Sequence, residues 1–339
     1  LASGFREAIP KFGGADLEVT NLSVSYLVQQ TKFNALDSVS LSATRGSAVG
    51  VVGESGCGKS TFAWSILRSL PHNAQVEGGE VLLDGVDILS MSEEDFGSKI
   101  RWKELALIPQ ASMNMFNPVF SIDEQIAETI SVHLGLSIKE SRERAKSLLR
   151  SVGIDLRPNG LYPHQLSGGM KQRAAIAMAL ALSPKILVAD EPTTALDVIV
   201  QCQIMTLLDD LRRNTAMTLV LISHDVSLIT QYTDTVVVMY AGRVVEAAST
   251  KELIKKPLHP YTSALLKSIP SIRGPKIRLK GIPGSPPNLS MNIQGCRFAA
   301  RCAFVQEECR LREPPLEEVE SNHFVACFMW YKLVEPRNL

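Results

Sequence analysis

Eight consecutive residues, Gly53-Glu54-Ser55-Gly56-Cys57-Gly58-Lys59-Ser60, carry glycines, a lysine and a hydroxyl in the order a phosphate-binding loop requires. Glycines let successive backbone N–H groups turn inward around phosphate oxygens, and a helix that follows presents its positive end to the same anion. Lys59 is spaced to reach the β- and γ-phosphates of a nucleotide, and the Ser60 hydroxyl to hold Mg²⁺, with Thr61 next along the same helix entry. A second group, Asp190-Glu191, closes the apolar run 186–189. A carboxylate at Asp190 can complete a magnesium site, and one at Glu191 can accept a proton from an attacking water. By itself an acidic pair at a strand end is a solvated surface feature. Behind a phosphate loop it reads as the hydrolytic half of a nucleotide site.

The elements that must position these groups follow from hydrophobic period. Alternation over residues 16–28 and 35–43 predicts strands, and the apolar run 48–52 predicts a short buried strand feeding the glycine loop. Residues 60–70, 123–152, 167–182 and 198–214 have helical spacing, while 80–85, 186–189, 218–223 and 235–240 read as strands. Strand and helix alternate around an all-helical insert near 112–183, which predicts an α/β core with a parallel sheet and a helical subdomain. After Lys256 the composition changes. Pro257, Pro260, Pro270, Pro275, Pro283, Pro286 and Pro287 allow only short elements there, as in a linker or an irregular appendage.

Composition narrows the classes. The chain has 339 residues, 45 % hydrophobic and 21 % charged, with 35 basic and 35 acidic side chains. This is a folded, water-soluble balance longer than one typical domain, and its neutrality argues against a polybasic nucleic-acid binder. No apolar run approaches the ~20 residues a membrane helix needs, and residues 1–14 lack the charged-then-apolar order of a secretory leader. A cytoplasmic location is therefore expected, where structural disulfides are rare.

The stretch Leu166-Ser167-Gly168-Gly169-Met170-Lys171-Gln172-Arg173 resembles the signature motif of ATP-binding cassette (ABC) ATPases. The other motifs of that family then fall into order across residues 16–256. Tyr26 resembles the adenine-stacking aromatic, Gln110 the lateral glutamine that also reaches the magnesium, Ala195-Leu196-Asp197 the D-loop, and His224 the γ-phosphate switch. The resemblance implies a P-loop NTPase (RecA-like) ABC nucleotide-binding domain with an antiparallel β-subdomain and a helical subdomain. It also implies hydrolysis of ATP with Mg²⁺ across a head-to-tail dimer, where Ser167, Gly168 and Gly169 close the partner's phosphate loop. Catalysis would fall to Glu191, His224 and Gln110. Each residue also has a plainer reading. Ser167 is a favoured helix cap, His224 could be a core histidine, Gln110 a surface residue, Tyr26 core filling, and Cys57 a tolerated small side chain rather than a redox brake on ATP binding.

Six cysteines are unevenly placed, with Cys57 and Cys202 apart and Cys296, Cys302, Cys309 and Cys327 near the C-terminus. Cys202 is expected to pack on a helix face. Four thiols suit zinc, a [4Fe–4S] cluster or two disulfides, although the close C-x2-C pairs of many zinc sites are missing. Arg297, Arg301, Arg310 and Arg312 lie among them, and cationic neighbours would lower thiol pKa values or suit nucleic acid. Residues 259–266, 282–287 and 295–302 resemble the C-terminal extension of oligopeptide/dipeptide importer ATPases, in which such cysteines bind a [4Fe–4S] cluster in some members. The resemblance implies an ABC domain over 16–256 and a 257–339 extension. It also implies import of di- or oligopeptides or a related solute, a second ATPase subunit (a different one, with a homodimer as the alternative), two transmembrane permeases, an indirect extracytoplasmic solute-binding protein, and a peripheral place on the cytoplasmic face of the membrane. In the same family the segment 111–128 meets the permease, with Met113, Met115, Phe116 and Phe120 as its apolar surface. The alternative is a soluble ABC ATPase of nucleic-acid metabolism whose cysteine tail binds nucleic acid.

Overall fold

The computed structural model describes residues 14–110, 112–155, 160–269, 281–290 and 293–333. Pro270, Pro275, the leader reading of residues 1–13 and the side chain of Met113 lie outside these residues. The chain forms two compact units that interleave in sequence. One comprises 1–17, 43–47 and 83–221, and the other 18–42, 48–82 and 222–339.

In the first unit, strands Leu105–Ile108 and Ile186–Asp190 pair in parallel, with Leu105 opposite Ile186 and Ile108 opposite Ala189. Ile186–Asp190 is buried along its whole length, as expected of a parallel strand covered on both faces. Among the described residues, 112–183 hold helices only. The helical pattern over 123–152 resolves into two helices, Ile122–Leu134 and Ile138–Ser151. Gly135 ends the first in a left-handed conformation, and Ser137 with Glu140 forms a capping box that starts the second. The apolar period ran through both because the break is short. Helices Gly168–Ala179 and Val198–Thr215 complete the set that carries the signature and D-loop stretches.

In the second unit, strands Leu17–Val28, Thr31–Ala43 and Ala74–Leu83 lie in one sheet, with Leu17–Val28 between the other two. A second sheet holds Ala48–Val52 parallel to Thr235–Tyr240, with Val49 opposite Thr235 and Val52 opposite Val238. Thr235–Tyr240 continues antiparallel to Arg243–Ser249. The C-terminal stretch then adds order that its prolines did not suggest. Strand His323–Val325 pairs antiparallel with Arg243–Ser249, and Glu317–Glu320 pairs with His323–Val325.

One buried carboxylate joins that stretch to the sheet. Glu246, fully buried, accepts hydrogen bonds from Leu258 N–H at 2.7 Å and His259 N–H at 2.9 Å, and pairs with His323 Nε2 at 2.8 Å. A buried charge is tolerable only when its oxygens are satisfied in this way. Among the described residues, no helix is long and apolar enough to cross a membrane.

Candidate nucleotide site

The glycine loop leaves strand Ala48–Val52 and enters helix Lys59–Ile66. Gly58, at the helix entry, has φ +106°, and a Cβ there would meet the Ala35 carbonyl oxygen at 2.6 Å. Only glycine fits both demands. At Gly53 a Cβ would fall 2.2 Å from the Met239 carbonyl oxygen, whereas at Gly56 it would meet nothing within 4 Å. The loop is thus tight on its protein side and open at its crest, a shape that suits a phosphate approached by backbone. Lys59 is buried, and its Nζ donates to the Gly53 carbonyl at 2.7 Å and the Glu54 carbonyl at 3.0 Å. Ser60 is half-buried just beyond, and Ser55 and Gly56 are exposed.

Cys57 points inward. Its thiol is buried, lies 3.8 Å from Lys59 Nζ, and is pushed above the usual thiol range by burial, which outweighs the nearby ammonium. A helix entry alone would have lowered it. Tyr26 is half-buried, and its ring stacks nearly parallel on Phe33 at 5.5 Å, with its hydroxyl 3.3 Å from Thr61 Oγ1. Phe33 is a partner that sequence reasoning missed, because one more aromatic on an alternating strand carries no signal. His224 is exposed directly after strand Thr218–Ser223, ahead of Asp225, which caps helix Val226–Tyr232.

In the first unit, Asp190 is buried at the end of its strand. Glu191 follows with φ +48°, a left-handed backbone that is costly for a residue with a side chain. Its carboxylate accepts from Gln110 Nε2 at 3.1 Å and Thr194 Oγ1 at 2.9 Å. Gln110 and Glu191, 81 positions apart, are therefore in direct contact. Ser112, two residues on, donates through a buried 2.7 Å hydrogen bond to Gln172 on the signature helix. Ser167 caps that helix by accepting from Met170 N–H at 3.3 Å and is itself exposed. A Cβ at Gly169 would meet Val200 Cγ1 at 2.7 Å, so bulk is excluded there by the next helix. Asp197 is exposed and caps Val198–Thr215 through Val200 N–H at 3.0 Å.

The four C-terminal cysteines are free thiols that line one small cavity with His259, Phe298, Phe328 and Met329. Burial pushes Cys302 up, Cys296 to about 11 and Cys327 to about 12, and neighbouring thiols add to each shift. At these three thiols the expected lowering by arginine is absent, and three of the arginines are engaged elsewhere. Arg297 reaches Asp37 and the Ala241 carbonyl, Arg301 reaches Glu54, and Arg312 reaches Glu308. Among the described residues, no group of three or more His, Cys, Asp or Glu side chains is arranged to hold one metal ion. The cysteines supply a donor set around a shared space without closing on a centre. Two smaller expectations also change. Cys202 is exposed on its helix. Phe116 is buried, leaving Met115, Val119 and Phe120 exposed in the segment read as the permease contact.

Comparison with known proteins completes the site. The family model "ABC transporter" matches residues 36–194, and "Oligopeptide/dipeptide transporter, C-terminal region" matches 245–309. The chain is 44 % identical to the "Probable peptide ABC transporter ATP-binding protein y4tR" of Sinorhizobium fredii, over 92 % of this chain and 94 % of that one. The chain belongs to the ABC transporter ATP-binding proteins. This ABC ATPase is also 40 % identical to the dipeptide transport ATP-binding protein DppD of Caldanaerobacter subterraneus subsp. tengcongensis, over 93 % of this chain and 97 % of that one. It is similar to the dimeric structure of MJ0796, a bacterial ABC transporter cassette, at TM-score 0.62 and 28 % identity, covering 69 % of this chain and 98 % of that one. These likenesses show the cassette fold and ATPase family, and none of them supports the nucleic-acid alternative.

Proposed function

We propose that this ABC ATPase powers import of di- or oligopeptides, working as one of two cassettes beneath membrane permeases. The observation that carries the ATPase part is Lys59, whose ammonium sits inside the glycine loop on two backbone carbonyls, 2.7 and 3.0 Å away. Phosphate oxygens are stronger acceptors and would draw it forward. The peptide part rests on the family match over 245–309 and on the named functions of the relatives.

Within that reading, residues 16–256 form the nucleotide-binding domain and 257–339 its extension. Gly53, Ser55, Gly56, Cys57, Gly58 and Thr61 give loop contacts to ATP, Cys57 through its backbone because its thiol is buried. Tyr26 offers its ring to the base. Ser60, Asp190 and Gln110 are the oxygen donors for Mg²⁺, which would neutralise phosphate charge. Glu191 takes the proton of the attacking water, held in aim by Gln110 and Thr194. His224 senses the γ-phosphate. Ser167, Gly168, Gly169 and Asp197 serve the site of the second cassette, which their exposure or half-exposure permits. The second cassette is a related but different subunit, a solute-binding protein delivers the peptide to the permeases, and the assembly sits at the cytoplasmic face of the membrane. Reconstitution with the permeases tests this. ATP-dependent peptide uptake that Lys59→Ala abolishes is expected, and nucleic-acid-stimulated hydrolysis without peptide uptake would overturn it.

The four-cysteine cavity is read as the seat of a [4Fe–4S] cluster, with zinc as the alternative. Support comes from four thiols lining one cavity under a largely apolar shell. Anaerobically prepared protein should then contain iron and sulfide and absorb broadly in the visible, and lose both when Cys302 and Cys309 are changed to Ser. Stoichiometric zinc without iron would replace the cluster reading.

A further inference from the structure

The phosphate-binding loop contains a carboxylate, Glu54, in its second position. A negative charge in a loop built for a polyanion opposes its ligand. The structure shows what becomes of that charge. Arg301 Nη1 donates to Glu54 Oε2 at 2.7 Å and Nη2 to Oε1 at 2.9 Å, a two-pronged pair. The Arg301 side chain is only 5 % exposed. It also donates to the Tyr240 hydroxyl at 3.1 Å and the Pro283 carbonyl at 2.8 Å, and it lies over the Phe298 ring. The Glu54 backbone is held as well, since its N–H donates to the Tyr261 hydroxyl at 2.9 Å. Tyr261 is fully buried on helix Pro260–Lys267. A parallel grip runs through Arg297, which donates to the Ala241 carbonyl, while Gly242 N–H reaches the Cys57 carbonyl at 2.9 Å. Arg297 and Arg301 are the immediate neighbours of Cys296 and Cys302.

We propose that the C-terminal extension tunes ATP binding by its own chain: Arg301 neutralises Glu54 and draws it aside, and Tyr261 fixes the loop backbone. Both are positioning residues, acting through Glu54 rather than touching nucleotide. The inference rests on the reading of this loop as the ATP site. It extends that reading by giving the extension a part in nucleotide affinity.

The test uses the full chain, with KM for ATP, kcat and thermal melting measured on each variant. Arg301→Met keeps an apolar stem and removes the fork, so KM should rise about tenfold with kcat within about twofold, as loss of one buried charge-assisted pair implies. Adding Glu54→Gln removes the exposed repulsion, and the double variant should return to within about threefold of wild-type KM, since coupled sites do not add. Arg301→Lys should recover little, because a point charge cannot replace the fork. Tyr261→Phe should raise KM about two- to fivefold through one lost hydrogen bond. An unchanged KM in folded Arg301→Met overturns the proposal, as does a double variant no better than Arg301→Met. Should Arg301→Met fail to fold, Tyr261→Phe decides, and an unchanged KM there overturns it. Lys59→Ala separates the two levels. If wild type binds ATP and Lys59→Ala does not, a normal Arg301→Met removes this inference alone. If wild type binds no ATP, the site reading falls, and the inference with it.

Discussion

The phosphate-binding loop and the signature stretch are both glycine-containing entries to a helix, yet they are finished in different ways. Around the loop, Lys59 is buried, Gly58 is boxed in by the Ala35 carbonyl, and side chains from residues 261 and 301 hold Glu54. Around the signature, Ser167 caps its own helix and stands exposed, Val200 sits close beneath Gly169, and the firmer holds come later in the stretch, at Gln172 and Arg173. The first is braced by its own chain. The second leaves its helix entry exposed, as the proposed role toward a second cassette requires.

The largest effect that sharpens this contrast is on chemistry. Glu191→Gln should lower turnover about 10²–10⁴-fold, the usual worth of a general base, while equilibrium ATP binding stays intact. Wild-type turnover in that variant would remove Glu191 from its role. Next come paired changes at the two helix entries. Ser167→Arg should cut turnover about 10²-fold, as for a lost transition-state donor, without altering ATP binding by the single chain. Gly58→Ala should instead lose binding itself, because its Cβ meets backbone oxygen and its φ is +106°. Equal binding losses in both would erase the distinction between a self-braced and an exposed entry.

A smaller effect concerns the support behind the loop. Glu246→Gln weakens a carboxylate that accepts from Leu258 and His259 and pairs with His323, so stability should fall by about 1–3 kcal/mol in chemical denaturation. Acid should act nearby. Burial pushes His259 down to about 3, whereas in the unfolded chain it protonates near 6.5. Between those values the unfolded chain binds a proton that the folded one does not. Stability from this group is therefore complete above pH 6.5 and declines as pH falls toward 3. His259→Asn preserves an acceptor for Tyr261 N–H and should flatten the melting temperature over that window. The smallest effect is at Cys57. Cys57→Ala should change ATP affinity less than about twofold, because a buried, protonated thiol is neither ligand nor nucleophile.

Much of the core was readable because its signals are local. The strand 48–52, glycine loop and following helix sit in one contiguous stretch, and Asp190 ends an unbroken apolar run. The helix break at Gly135 was also within reach, since Ser137 and Glu140 spell a capping box, but an uninterrupted apolar period masked it. Contacts between distant positions were not readable. Nothing near Glu54 points to a residue 247 positions later, and arginines beside cysteines suggested thiolate partners rather than a grip on the loop. The strands at 317–320 and 323–325 were hidden for a related reason. They are short, and the sheet edge they extend lies some 70 residues earlier in the chain.

Glu246 sets a condition on shortening this protein. Cutting after Lys256 would leave a recognisable ATPase cassette by sequence, but it would remove the Leu258 and His259 N–H donors and His323 together. A charge fully enclosed in strand Arg243–Ser249 would then face bare surface or force the strand edge open to water. A minimal cassette made from this chain is therefore expected to melt higher with a small apolar residue at position 246 than with the native glutamate.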